Sequence, residues 1–438
     1  MKSLQELTKN SSFCVIPFIS LMVNTDTYIR YCCLTKGLEG RIKNSQGNYI
    51  SCKDNFKEQA WNSGHLRAIR ISMLNDSKVT GCQSCYLQEQ SGRQSNRQLS
   101  NNEWINRLGS DQIMKLVEQA AKSGFVVDDP VYLDLRLGNL CNLKCRMCNP
   151  WNSSQIAKEH VELIEKDQDY ADTWNKSFSK FSIKFMDNQP WFQSDIFWNQ
   201  VIELIPSLQK VYLTGGEPTL IEQNFTFMQS CIDQGRNDIQ LFFNTNCTNI
   251  NKKFLELIRQ FFNCSVNASI DGFGEVNDYI RFPSKWARLE NNIEQMARMP
   301  NITLGITPTV QVYNILNLVE ILNWVDRLNA KYKKNIFVDF LINTHPSHLA
   351  ITILPDNIKQ QALDMLEHYR DNVMSKNAHG LTQNSLNGVI GMLKLNPPDD
   401  LEEQVKRLRI YTKSLDKERK QDFTVLGPEL AEFINGKE

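Results

Sequence analysis

The sequence predicts an α/β protein. It expects a partial (β/α)6 TIM-like barrel, preceded by a cysteine-rich domain and followed by a helical extension. Three observations lead there. Short apolar strands alternate with helical patterns between residues 131 and 343, as they do in parallel sheets. Several of those strands keep one face polar. Six of the 12 cysteines lie ahead of the alternating region, where periodicity is weak. The expected domains are 1–125, 126–345 and 346–438, with the first break just before Pro130.

Residues 1–125 are rich in Gly, Asn and Ser, and their clearest helix is SDQIMKLVEQAAKSG, closed by Gly124. Strands are expected over 131–137, 210–214, 239–244, 264–270, 302–310 and 336–342. Helical patterns cover 221–234, 251–262, 286–298 and 315–329. In the first strand Leu133, Leu135 and Leu137 face one way, while Tyr132, Asp134 and Arg136 face the other. Ser265, Asn267, Ser269 and Asp271 share a polar face, as do Thr307, Thr309 and Gln311. Central parallel strands usually read as continuous apolar runs, and a closed barrel fills its middle with Val, Ile and Leu. The polar faces therefore imply a lumen wide enough for polar ligands. Asp134, Arg136, Asp339 and Asn343 are candidate substrate contacts on that parity. An aromatic-rich insertion over 168–200 reads as satellite core under a long connection, with a lid or partner surface as the alternative. After 355 the chain looks helical, and 401–418 is charged on most faces and reads as solvated.

The chain has 438 residues and balanced charge, Lys+Arg 49 against Asp+Glu 49. That balance gives no footprint for nucleic acid or a membrane surface. No apolar run reaches transmembrane length, and the start lacks a signal-peptide core. A cytoplasmic protein is expected. There, cysteines at ligand-like spacings favour metal over disulfides.

Directly after the first strand comes CNLKCRMC, with Cys141, Cys145 and Cys148 spaced Cys-x3-Cys-x2-Cys. Three thiolates on one loop hold three irons of a 4Fe–4S cluster and leave the fourth open to chemistry. Structural zinc wants four ligands in paired spacings, and three cysteines without a nearby His fit it poorly. Directly after the strand KVYLT stands Gly215-Gly216-Glu217-Pro218. Two glycines let backbone approach a ligand closely, and the proline fixes the turn.

Together, CNLKCRMC and LTGGEPTL resemble the radical S-adenosylmethionine (radical SAM) family. The resemblance implies that Cys141, Cys145 and Cys148 hold the cluster. It implies that Gly215, Gly216, Glu217 and Pro218 meet the amino group of the SAM methionine, whose amine and carboxylate chelate the open iron. Asn244, Asn246, Ser269, Asp271 and Arg281 would meet the ribose hydroxyls and the carboxylate, and Thr309 would lie along ribose and adenine. Met147 stands where the family commonly has an aromatic near the adenine, and its polarizable sulfur suits a ring. No side chain is assigned as catalytic.

FCVIPFISLMVNTDTYIRYCC, closed by GCQSCYLQEQ, resembles a SPASM or twitch module. That implies an auxiliary 4Fe–4S cluster on Cys14, Cys32, Cys82 and Cys85. Two departures stand out: Thr27 occupies the place of a turn glycine, and the module precedes the barrel. Cys33 is an alternative to Cys32, Cys52 is a further thiol nearby, and a four-cysteine zinc ribbon is the competing reading. Cys231, Cys247 and Cys264 read as packing, and His345 and His348 lack a third metal partner.

The resemblance implies reductive cleavage of SAM and hydrogen abstraction, fed by an electron donor such as flavodoxin or ferredoxin. The auxiliary module points, by analogy of architecture, to a peptide or protein residue as substrate. A carbohydrate or nucleotide intermediate is the alternative. A non-catalytic zinc or iron–sulfur protein is the remote one.

Overall fold

Strands form where the sequence alternates or runs apolar. They are β1 (Ser20–Val23), β2 (Ile29–Arg30), β3 (Tyr132–Leu137), β4 (Lys210–Gly215), β5 (Gln240–Thr245), β6 (Cys264–Ala268), β7 (Ile302–Ile306), β8 (Thr309–Val310), β9 (Phe337–Val338) and β10 (Leu341–Ile342). The computed structural model describes residues 3–35, 37–90, 94–173, 191–375 and 378–436. The chain divides into two units: 1–138, 189–215 and 221–241 form the first, and 139–188, 216–220 and 242–438 the second. The expected boundary at 125/126 falls inside the first unit.

In the first unit the strand order is β2-β1-β3-β4. β1 runs antiparallel to β2 and parallel to β3, with Ser20 opposite Tyr132. β3 and β4 are parallel, with Asp134 opposite Tyr212 and Arg136 opposite Thr214. Leu21, Leu133, Leu135, Val211 and Leu213 are wholly buried. Each such side chain contributes about 1.5–3 kcal/mol of hydrophobic stabilisation. The helix expected at 110–124 spans Ser110–Ala120, and Gly124 follows at φ +73°. From the aromatic insertion, Trp191, Phe192, Phe197 and Trp198 are buried core. The Trp191 and Phe197 rings meet edge to face at 5.2 Å. Residues 174–190 of that insertion lie outside the described residues.

β5 is shared in sequence, its first two residues belonging to the first unit and Phe242 onward to the second. The second unit orders β5-β6-β7-β9 and pairs β8 with β10, and the ladders β6–β7, β7–β9 and β8–β10 are parallel. The strand expected over 302–310 breaks after Ile306, because Pro308 has no N–H to continue the ladder. The strand expected over 336–342 likewise splits into β9 and β10. Each serves a different partner, β7 and β8 respectively.

The C-terminal region is helical over Asp356–His368, Gly380–Leu393, Leu401–Arg419 and Pro428–Asn435. The reading of 401–418 as solvated is corrected here. Leu408, Tyr411, Thr412, Leu415, Asp416 and Arg419 of that helix are buried. Its buried charges are paired, Asp416 with Arg146 and Arg419 with Glu159, and pairing is what permits burial of charge. Among the described residues no helix is long and apolar enough to cross a membrane.

Candidate cofactor site

The cysteine triplet sits on a loop that is held from both ends. Cys141, Leu143 and Cys145 form a small buried cluster, with Met147 and Cys148 packed against it. The Lys144 amide donates to the Phe282 carbonyl at 2.6 Å and the Arg146 amide to that of Ile280 at 2.9 Å, so 144–146 runs along 280–282. At the far end, the Ser153 hydroxyl donates to the Leu143 carbonyl at 2.7 Å. The same hydroxyl caps helix Ser154–Lys166 by accepting the Ile156 amide.

Two sulfurs receive side-chain donors, one from the C-terminal cap of helix Glu275–Ile280 and one from the end of β5. Arg281 Nη1 lies 3.7 Å from Cys145 Sγ, and Asn246 Nδ2 lies 3.9 Å from Cys141 Sγ. Asn246 is oriented for this, because its Oδ1 accepts the Thr248 amide at 2.9 Å and hydroxyl at 2.7 Å. Arg281 Nε is 2.7 Å from Asp271 Oδ2. Neither atom has an aligned hydrogen-bond partner, so the contact is Coulombic. Asp271 Oδ1 accepts the Thr309 amide at 2.7 Å. Burial pushes the Asp271 carboxyl up, against the pull of Arg281. Thr309, Asp271, Arg281 and Cys145 thus form one connected set.

Glu217 joins the other. Its Oε1 accepts the Thr219 amide at 3.1 Å and the hydroxyls of Thr219 and Thr245, each at 2.6 Å. Its Oε2 accepts the Asn246 amide at 2.7 Å. Burial raises the Glu217 carboxyl, and these bonds oppose it. Both oxygens are engaged by the chain itself, so Glu217 braces the 216–220 segment against the end of β5. Gly216 is required by proximity: a Cβ there would stand 2.2 Å from the Leu140 carbonyl oxygen. Gly215 ends β4 and Pro218 opens the tight turn Pro218–Leu220.

Among the buried acceptors without a hydrogen-bond donor are Asn244 Oδ1, just before the end of β5, and Gln311 Oε1, just beyond β8. Orphaned buried acceptors are costly and mark places where a ligand can supply donors. Gln311 shares the strand parity of Thr309, which was its signal in the sequence. Ser269 is tied in through its backbone, its amide donating to the Thr245 carbonyl at 2.8 Å. Sequence reasoning missed Thr219, Thr245 and Arg146. Thr219 stands only two residues beyond Glu217, but the hydroxyl-to-carboxylate contact depends on the turn between them.

The donor set suits the expected groups. Burial, then the neighbouring Cys145, pushes the Cys141 thiol up to about 12, so metal must displace protons to bind there. Side-chain N–H groups on sulfur suit thiolates that carry cluster charge. Among the described residues no three His, Cys, Asp or Glu side chains are grouped to chelate a single ion. A cubane instead spreads its thiolates over separate irons.

In the first unit, Cys14, Cys32, Cys82 and Cys85 line one cavity, together with Tyr31 and Arg97. Arg97 is fixed there, Nε and Nη2 donating to Glu89 at 2.9 and 2.7 Å and Nη1 to the Phe13 carbonyl at 2.7 Å. Cys33 and Cys52 are not among the lining residues. Beyond Cys32, the charges that act on Cys33 are those of Asp134 and Arg136. Thr27 has φ 74°, the backbone a turn glycine would take.

Residues 135–325 match the radical SAM superfamily. No curated protein matches the chain. Among solved structures, the chain is similar to Streptococcus suis SuiB bound to precursor peptide SuiA, with 13% identity and TM-score 0.32, covering 63% of this chain and 52% of that one. SuiB bound to S-adenosylmethionine gives 13% identity and TM-score 0.34, covering 69% and 62%. SuiB alone gives 12% identity and TM-score 0.33, covering 76% and 66%. The chain thus spans less than two thirds of the length of each. The match to that superfamily thus rests on residues 135–325, the region that holds both the cysteine triplet and the Gly-Gly-Glu-Pro segment.

Proposed function

We propose that Cys141, Cys145 and Cys148 bind a 4Fe–4S cluster with one open iron, and that SAM binds beside it in a partial barrel. When bound and reduced, these groups split SAM to methionine and a 5′-deoxyadenosyl radical, which removes a hydrogen atom from substrate. The observation that carries the reading is the pair of side-chain donors on sulfur, Arg281 to Cys145 and Asn246 to Cys141. Asn244, Asp271 and Gln311 offer acceptors for the cofactor's hydroxyl and amine donors. Gly215, Gly216 and Pro218 shape the segment that passes close to it, while Glu217 keeps that segment in place. Met147 packs beside the triplet, where an adenine ring would find a polarizable sulfur.

The finer reading has an auxiliary 4Fe–4S cluster on Cys14, Cys32, Cys82 and Cys85, in a twitch-like domain over 1–125, supported by their shared cavity. The substrate is a peptide or protein residue, by analogy with enzymes that carry such modules. The electron donor is a flavodoxin or ferredoxin, and the setting is cytoplasmic. The test is anaerobic incubation of reconstituted protein with SAM and dithionite. 5′-Deoxyadenosine is expected, and Cys145→Ala should abolish it. Undiminished product from that variant would remove the triplet from the chemistry.

A further inference from the structure

We infer that helix Leu401–Arg419 clamps the cysteine loop, with Asp416 and Arg146 as positioning residues for the proposed cluster. The inference rests on the cluster reading above.

Arg146 lies between Cys145 and Cys148 in the chain, yet its side chain is wholly buried. Its Nη2 donates to Asp416 and, at 3.0 Å, to Gln421 Oε1. Its Nε donates to the Tyr279 carbonyl at 3.1 Å, and the guanidinium stacks 3.7 Å above the Tyr279 ring. The Tyr279 hydroxyl donates to Asp416 at 3.0 Å, closing the set. The helix also grips the loop's backbone, because the Tyr411 hydroxyl donates to the Arg146 carbonyl at 2.5 Å.

The other neighbour of Cys145 is tied to the same helix. Lys144 Nζ stands 3.3 Å from Glu159 Oε1. Glu159 takes both arms of Arg419, at 3.0 and 2.5 Å. Cys145 is therefore flanked by two basic residues, each leading to helix Leu401–Arg419. The helix is itself seated: Tyr411 stacks on Tyr170 at 5.8 Å, and the Ser414 hydroxyl donates to Asp167 at 2.7 Å.

This is more than fastening. Arg146 Nη1 has no hydrogen-bond partner, so the guanidinium's charge is answered chiefly by Asp416. Removing one member of a buried pair leaves the other charge uncompensated. A cluster gains negative charge on reduction, so an uncompensated cation beside it favours the reduced form.

The test uses full-length protein, reconstituted anaerobically, with three variants. Asp416→Asn keeps the shape but removes the counter-charge; its cluster should load as in wild type with the midpoint potential shifted positive. Asp416→Ala removes both, and iron release to a chelator should be about 10-fold faster. Tyr411→Phe deletes a single hydroxyl, the mildest change, and should also speed release. An Asp416→Asn potential equal to wild type, together with Tyr411→Phe release at the wild-type rate, would overturn the inference. Wild-type protein that takes up no iron or sulfide would instead overturn the cluster reading itself.

Discussion

Thr27 holds a backbone that suits glycine far better than a β-branched side chain. Its φ of 74° lies in the left-handed region, and its carbonyl accepts the Cys52 amide at 2.8 Å, which fixes the turn between β1 and β2. Such a conformation costs an L-residue roughly 1–2 kcal/mol. Thr27→Gly should therefore raise stability by about 1 kcal/mol, read as a higher unfolding midpoint of the metal-free protein. A lower midpoint would mean that the threonine side chain itself is needed. The position was marked in the sequence by the module resemblance, which expects a turn glycine there. The triplet at 141, 145 and 148 was readable from its own local spacing. Arg146 was not. Its partner Asp416 lies 270 residues away in the chain, and no periodicity links the two. Glu217 falls between these cases: its motif was visible, but the hydroxyls that occupy it come from Thr219 and Thr245.

At the scale of elements, apolar alternation located the main strands to within a residue or two, since burial enforces it. It did not locate the break at Pro308, where backbone donors matter more than side chains. Helix Leu401–Arg419 was misread because all its charged letters were taken as solvated, whereas pairing with Arg146 and Glu159 puts Asp416 and Arg419 inside. The same helix covers His348, whose ring lies 4.9 Å from that of Tyr411. Burial, with Arg407 adding to it, lowers the His348 pKa from 6.5 to about 3. Below 6.5 the unfolded chain binds a proton that the folded chain refuses, so unfolding is favoured as pH falls from 6.5 toward 3. Thermal unfolding should show the midpoint dropping between pH 6.5 and 5, above the usual carboxylate range. His348→Leu should flatten that drop. An equal slope in the variant would place the acid sensitivity elsewhere.

For the whole molecule, the separation of the cysteines into two sets is the main chemical fact. Spacing suggested the triplet and the module resemblance implied the other set, and the four cysteines that line the first unit's cavity are those the resemblance named. If both sets hold 4Fe–4S clusters, reconstituted protein should carry about 8 irons per chain and Cys82→Ser about 4. Zinc in wild-type protein, with iron near 4, would favour the ribbon instead. Spacing could propose ligands but could not choose between Cys32 and Cys33, because neighbouring residues on one turn diverge only in three dimensions. The pairing of β1 with β3 has a different consequence. Ser20–Val23 can pair with β2 early, but its other edge must wait until Tyr132 has left the ribosome before the ladder to β3 can form. Cutting the chain at 125 would strip a neighbour from β3 and leave a row of bare amides and carbonyls open to foreign strands. The leading segment is thus woven into the sheet, and a truncation there would invite aggregation before it revealed anything about catalysis.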